Sequence, residues 1–366
     1  MENSSIKLLS RSKVIAPLIM DYMLSAGAQI RPDGALLFPV GSNKLTEEEV
    51  QDKQWMPVEI VPVEQEHSAS PGSPEAATPV THFNTSEYYR HLRTEALGQS
   101  VLYARQMRST QDIVDRLASV LPEDIGVLVV AEQQTSGKGR SGNVWESPIG
   151  CAMFSFPLFI SLSSKLGKSL TLLQHMVATA CVLAVKNTSG YEDVDLRIKW
   201  PNDILTSNKV KVGGVLVTST IFRQKACCGI GVGFNVTNSK PTLCLNDLIR
   251  QHNLSKSSNL ETFTVEQFIA RVLTEFEGLV KTFQQSGANA LLPVYLQHWL
   301  HQDQQVEIKT EANCQTGQQS SLLKGTITGL DEYGFLQVKL ADGKIQSVQS
   351  DGNRFDMMAN LLSVRH

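Results

Sequence analysis

Residues 125–145 read IGVLVVAEQQTSGKGRSGNVW, an apolar run that leads straight into a glycine-rich loop. The run 125–131 is dominated by β-branched valine and lacks polar alternation, the pattern of a strand buried on both faces. Gly137, Gly139 and Gly142 then let the backbone come close to a ligand, while Lys138 and Arg140 place two cations on the same loop. This composition suits a grip on phosphate or carboxylate oxygens through amides and side chains. A solvated turn fits it as well. The loop is not a Walker A sequence, because G-x-x-x-x-G-K-[ST] is absent and no clear helix follows Asn143-Val144-Trp145.

Working outward, residues 101–104 read as a short strand. Ser109-Thr110 then precede QDIVDRLASV, where Ile113, Val114, Leu117 and Ala118 recur at helical spacing and Asp112 stands three residues after Ser109, as in a capping box. Downstream come an apolar strand at 151–160 and a long apolar helix at 170–186. Strands at 194–200, 212–220 and 227–236 follow, the last two joined by so short a connection that they should pair antiparallel. An amphipathic helix at 264–284 carries Phe268, Val272, Phe276, Leu279 and Phe283 on one face, and a second helix runs through 291–300. From about residue 302 the period switches to short strands at 305–309, 322–330, 334–340 and 344–348, with turns at 331–334 and 341–343, the pattern of a small β-barrel. The expected class is α+β: a mixed sheet with helices over 83–301, then a small barrel over 302–366.

The first 82 residues differ. Eight of the 14 prolines fall before residue 81, and 64–79 (EQEHSASPGSPEAATP) has almost no apolar bulk, so it reads as a linker behind a proline-broken extension. That extension shows neither paired amphipathic helices nor a basic surplus, so a DNA-binding regulator is not expected. A chain of 366 residues with 19% charged residues and a net charge of -3 is long enough for about two domains and too near neutrality for a dedicated nucleic-acid binder. It holds no uninterrupted apolar stretch of bilayer length. The six cysteines (Cys151, Cys181, Cys227, Cys228, Cys244, Cys314) form no C-x-x-C pair and have no histidine at zinc-ligand spacing, so no metal site is expected and buried free thiols are. The start MENSSIKLLSRSK is too polar for a secretory signal, while Lys7, Arg11 and Lys13 leave room for a transit-peptide reading.

Two further stretches bear on chemistry. Gly229-Ile230-Gly231-Val232-Gly233 lacks the context of a dinucleotide fingerprint, because Phe234-Asn235-Val236 continues a strand; glycines inside a strand mark close approach of a ligand or simple packing. Lys199-Trp200-Pro201-Asn202-Asp203 ends one strand and Lys211-Val212-Gly213-Gly214 opens the next, which would bring Lys211 back toward Asp203 as an electrostatic pair.

The order and spacing of Ser109-Thr110, QQTSGKGRSGNVW, KWPNDI, KVGGVLV, GVGFNV and the closing QSVQSDGNRFDMM resemble the biotin protein ligases, or holocarboxylase synthetases, of the animal type without an N-terminal DNA-binding domain. The resemblance covers about residue 83 to the C-terminus. It implies a class II synthetase-like catalytic domain with a mixed sheet, followed by an SH3-like barrel. It also implies joining of biotin to ATP as biotinyl-5'-AMP, then transfer to one lysine of an acceptor domain. ATP, biotin and Mg²⁺ are the implied small molecules. The implied partners are the biotin-accepting domains of acetyl-CoA, pyruvate, propionyl-CoA and methylcrotonyl-CoA carboxylases, with the enzyme a monomer or homodimer. Residue by residue, Arg140 and Lys211 match the basic groups at the carboxylate and α-phosphate, and Lys138 stands where bacterial relatives often have arginine. Ser109, Thr110 and Gln134 match hydrogen-bonding partners of the ureido ring, with Gly231 and Gly233 as the strand against which biotin lies. Gly137, Gly139, Trp145, Asn202 and Asn235 match positions around the nucleotide. Asp203 matches the carboxylate that orients the incoming lysine. The rival reading is a lipoate or octanoate ligase of the related fold. The expected compartment is the cytosol, with mitochondria second.

Overall fold

The computed structural model describes residues 6–10, 19–23, 29–30, 36–39, 55–62, 83–118, 121–123, 125–309, 322–350, 353–356 and 360–364. The linker 64–79 and Cys314 lie outside these residues. Four strands come from the N-terminal extension: β1 (Ile6–Ser10), β2 (Gln29–Ile30), β3 (Leu36–Pro39) and β4 (Trp55–Pro62). Then follow α1 (Thr85–His91), β5 (Ser100–Met107), α2 (Thr110–Leu117), β6 (Val127–Gln134), the paired short strands β7 (Gly137–Lys138) and β8 (Val144–Trp145), and β9 (Cys151–Ser161). Next are α3 (Leu173–Lys186), β10 (Arg197–Lys199), β11 (Asp203–Leu205), β12 (Lys211–Phe222) and β13 (Lys225–Asn235), then helices α4 (Leu245–Lys256), α5 (Val265–Ser286) and α6 (Ala288–His298). Apart from the β7–β8 ribbon, these strands form an 11-stranded mixed sheet ordered β10-β11-β12-β13-β9-β6-β5-β1-β4-β3-β2.

The sequence pattern explains the layering. Successive side chains on a strand point to opposite faces. Along β6, Val127, Val129 and Ala131 join Ile113, Val114 and Leu117 of α2 in one core, while Leu128 and Val130 join the larger core on the other face. Both faces are therefore covered, which is why 125–131 needs no polar alternation. The larger core includes α3 and the Phe268, Val272, Phe276 and Phe283 stripe of α5. The expected antiparallel pair is β12 and β13, in register from Gly213↔Phe234 to Phe222↔Lys225. β5 and β6 run parallel, with α2 as their crossover.

Several details depart from expectation. The capping box does not close: the Ser109 hydroxyl accepts from the Gln111 amide at 3.3 Å, but the Asp112 carboxylate is taken by Lys138. The helix expected from 170 opens as a 3-10 turn (Gly167–Leu172) before α3, and the strand expected at 194–200 shrinks to β10 because Trp200 leaves the sheet to donate Nε1–H to the Gly334 carbonyl at 3.0 Å. α6 stops at His298 because Trp299 bridges to Ile198 and the Leu300 amide bonds the Ile198 carbonyl at 2.9 Å. Gly167–Lys186 has the length and hydropathy of a membrane-crossing segment, yet 67% of it is buried inside the fold, where it serves as a core helix.

The C-terminal region forms a second, six-stranded sheet from β14 (Gln305–Lys309), β15 (Leu322–Leu330), β16 (Leu336–Leu340), β17 (Ile345–Val348), β18 (Asn353–Asp356) and β19 (Leu361–Val364), two strands more than its sequence period suggested. The pairings are antiparallel except for β14 with β19. Val306, Ile308, Ile327, Leu336 and Val338 belong to the same apolar cluster as the main core, so the two sheets share buried surface.

Candidate active site

A cleft of about 130 Å³ opens where the N-terminus of α2 meets the ends of β6, β12 and β13, beneath the β7–β8 ribbon. Its inner end is polar and tightly cross-linked. The Gln134 side-chain oxygen accepts from the Thr110 amide at 2.8 Å, and its Nε2 donates to the Ser147 hydroxyl at 3.1 Å. Thr110 Oγ1 also lies 2.8 Å from Ser155 Oγ. These bonds hold a row of donors and acceptors at the first turn of a helix, where free amides and the helix dipole favour an electron-rich ligand.

The glycines of β13 shape the floor. A Cβ on Gly231 would lie 2.6 Å from Gln111 Oε1, and one on Gly233 would lie 2.5 Å from Trp145 Nε1. Each glycine therefore makes room for a side chain laid flat across the strand, Gln111 from α2 and Trp145 from β8. Gln111 is anchored there by Nε2–H bonds to Thr218 Oγ1 at 2.9 Å and Asp115 Oδ1 at 3.0 Å.

Cations line the outer end. Lys211 Nζ is 2.7 Å from Asp203 Oδ1, Lys199 Nζ is 3.5 Å from Asp203 Oδ2, and Lys211 lies 5.4 Å from the Trp145 ring centroid. The hairpin thus makes the Lys211–Asp203 pair that its spacing suggested. Lys138 pairs with the buried Asp112. Arg140 donates to Asn202 Oδ1 at 3.0 Å and to the Ser350 carbonyl at 2.9 Å. The side chains of Lys138 and Lys211 are 41% and 44% exposed, so both ammonium groups remain open to an anionic ligand from the solvent side. Among the described residues of the lining, Asp203 is the one carboxylate against Lys138, Arg140 and Lys211, which leaves the cleft cationic. Behind it, burial first, with the nearby Arg140 charge adding, holds His175 down to about 4.

Twelve of the expected residues share this lining: Ser109, Thr110, Gln134, Lys138, Gly139, Arg140, Trp145, Asn202, Asp203, Lys211, Gly231 and Gly233. Two lie elsewhere. Asn235 is buried at the end of β13, donating to Thr242 Oγ1 at 3.0 Å and accepting from Asn238 at 2.8 Å. Gly137 packs within the ribbon, where a Cβ would stand 2.4 Å from the Trp145 carbonyl. Gln111 and Ser155 line the cleft without having been singled out. A hydroxyl inside the apolar run of β9 was the readable signal for Ser155, whereas Gln111 looked like an ordinary helix residue.

The sequence profile of the Biotin/lipoate A/B protein ligase family matches residues 103–235, and that of the biotin protein ligase C-terminal domain matches 314–350. The chain is 43% identical over 281 residues to the human biotin–protein ligase, covering 77% of this chain but only 38% of the human protein. It is 34% identical over 283 residues to the chloroplastic biotin–protein ligase 1 of Arabidopsis thaliana, covering 76% of this chain and 73% of the plant protein. A solved structure of the biotin protein ligase from Aquifex aeolicus in complex with biotin and ATP shares the fold, with a TM-score of 0.50 at 20% identity over 68% of this chain and 95% of that one. Identity that runs through most of the plant relative, together with the cleft motifs in their order, establishes that this chain belongs to the biotin protein ligase family.

Proposed function

We propose that the chain attaches biotin to a lysine of acceptor proteins at the expense of ATP. The observation that carries this reading is the two-ended cleft, a fixed polar slot over the glycine floor joined to a cationic mouth. The polar end suits an uncharged ureido ring, and the mouth suits a carboxylate meeting a triphosphate. In the first step a biotin carboxylate oxygen attacks the α-phosphorus, the bond to the bridging β-phosphate oxygen breaks, and pyrophosphate leaves. Both reactants are anions, so Lys211, Arg140 and Lys138 would offset their repulsion and the charge that builds in the transition state. In the second step the acceptor lysine nitrogen attacks the carbonyl of the mixed anhydride, AMP leaves, and the ammonium proton is lost. Asp203, which already holds two lysine ammonium groups, would receive and orient the third.

Ser109, Thr110 and Gln134 are assigned to the ureido ring, Gly231 and Gly233 to the face on which biotin lies, and Gly139, Trp145 and Asn202 to the nucleotide. Among the described residues no cluster of three metal-ligating side chains exists. Mg²⁺ is therefore assigned to the triphosphate, arriving with it. The acceptors are proposed to be carboxyl carrier domains of biotin-dependent carboxylases, in the cytosol and also in mitochondria. The names of the biotin–protein ligase relatives favour biotin over lipoate.

The test is biotin-dependent exchange of pyrophosphate into ATP by the purified chain, followed by transfer of labelled biotin to a carboxyl carrier domain. Exchange with biotin and label on the acceptor lysine are expected. Exchange with lipoate but not biotin would overturn the substrate, and exchange with neither would overturn the reading altogether.

A further inference from the structure

Among the described residues of the second sheet, Ser350 touches the cleft residue Arg140. Ser350, 4% exposed, follows β17 and presents two oxygens to two different elements. Its carbonyl accepts from Arg140 Nη2 at 2.9 Å, and its hydroxyl accepts from Gln174 Nε2 at 3.1 Å. Gln174 stands on the first turn of α3 and does not line the cleft. The next residue, His175, packs against Gly334 of the second sheet, where an added Cβ would meet His175 Cε1 at 2.8 Å. Gly334 in turn accepts the Trp200 indole bond described above. The second sheet is thus clamped at Gly334 and pinned again at Ser350, and the second pin lies between Gln174 and Arg140.

We propose that Gln174 is a positioning residue that acts through Ser350 to hold Arg140 at the mouth of the cleft. This rests on the role proposed above for Arg140. The geometry is a relay: the Gln174 amide fixes the Ser350 hydroxyl, which fixes the direction of the Ser350 carbonyl, which orients one side of a guanidinium whose other side is set by Asn202. A carbonyl can shift only with the backbone that carries it. Removing the Gln174 amide takes away one of the bonds that hold Ser350, and with it the support on one side of Arg140. Gln174→Ala leaves Arg140 its charge and its bond to Asn202, so the relay governs how long the adenylate is retained more than how fast it forms.

The experiment compares wild type, Gln174→Ala, Ser350→Ala, Ser350→Thr and Gln174→Ala in an Arg140→Ala background, all as the full chain with folding confirmed by thermal melting. The first readout is the release rate of preformed labelled biotinyl-adenylate beside its single-turnover formation rate. Gln174→Ala and Ser350→Ala should each release it about five-fold faster, the size of one neutral hydrogen bond, with formation unchanged within two-fold. Ser350→Thr, which keeps the hydroxyl, should match wild type. In the Arg140→Ala background the Gln174 change should have no further effect, and a further five-fold increase there would overturn the relay. The second readout needs no biotin chemistry: trypsin should cut the ligand-free chain after Lys138 and Arg140 about five-fold faster in Gln174→Ala. Unchanged release and unchanged cutting would also overturn the proposal. If wild type forms no adenylate but the tryptic change is seen, the proposed function falls and the positioning contact stands.

Discussion

Gly231→Ala should block the proposed biotin slot. The added Cβ would stand 2.6 Å from Gln111 Oε1 and 3.2 Å from Ser155 Oγ, the first being roughly 0.8 Å short of ordinary contact. Gln111 cannot simply withdraw. Its Nε2 is bonded to Thr218 at 2.9 Å and Asp115 at 3.0 Å, and its Oε1 accepts from Ser155 at 3.3 Å. Moving the amide loosens at least one of these bonds, about 1 kcal/mol, and overpacking a well-filled site adds a cost of similar size. If Gln111 relieves the clash by swinging into the slot, biotin must push it back, and restoring about 2 kcal/mol of strain on binding corresponds to roughly a 30-fold weaker biotin Kd. Isothermal titration of biotin into wild type and variant measures this, with thermal melting to confirm that the variant folds. A Kd within two-fold of wild type would refute the argument, because it would mean that biotin does not lie on this strand.

Other outcomes follow from the same geometry. Lys211→Ala should slow adenylate formation by about 10²–10³-fold, the usual cost of removing one preorganised charge, and near-normal pyrophosphate exchange would remove Lys211 from its role. Arg140→Gly should release adenylate and label lysines on unrelated proteins; complete retention of the intermediate by that variant would count against it. Acid should destabilise the fold through two buried histidines. His175 and His301 are 1% and 0% exposed and are held at about 4, chiefly by burial, while His301 Nε2 accepts the Trp200 amide at 3.0 Å. The unfolded chain takes up these protons below about 6.5 and the folded chain only near 4, so stability is intact above 6.5 and falls as pH drops through that window. At pH 5 the loss is about 2 kcal/mol per histidine. Urea unfolding at pH 7.5 and 5 measures it, and an unchanged pH slope in the His175→Gln/His301→Gln variant would contradict the assignment.

What the linear sequence determined were the local patterns: the valine run of β6, the helical spacing of α2 and α5, the β12–β13 hairpin and the loop composition from Gly137 to Trp145. Each depends on neighbours within a dozen residues, through strand alternation, helical period or turn length. The Lys211–Asp203 pair was legible for the same reason, since one hairpin brings the two together. Tertiary structure alone decided the rest. Asp112 is an acidic helix-start residue in sequence, but Lys138, 26 positions away, takes it as a partner. Asn235 carries a motif residue's pattern and yet spends its amide on the turn beyond β13. Gln111 enters the cleft only because the glycines of β13 are packed beneath α2, and the Arg140–Ser350 bond spans 210 positions between two sheets. Contacts of that separation are set by how layers pack and which polar groups remain to be satisfied once they do, and no local period encodes them.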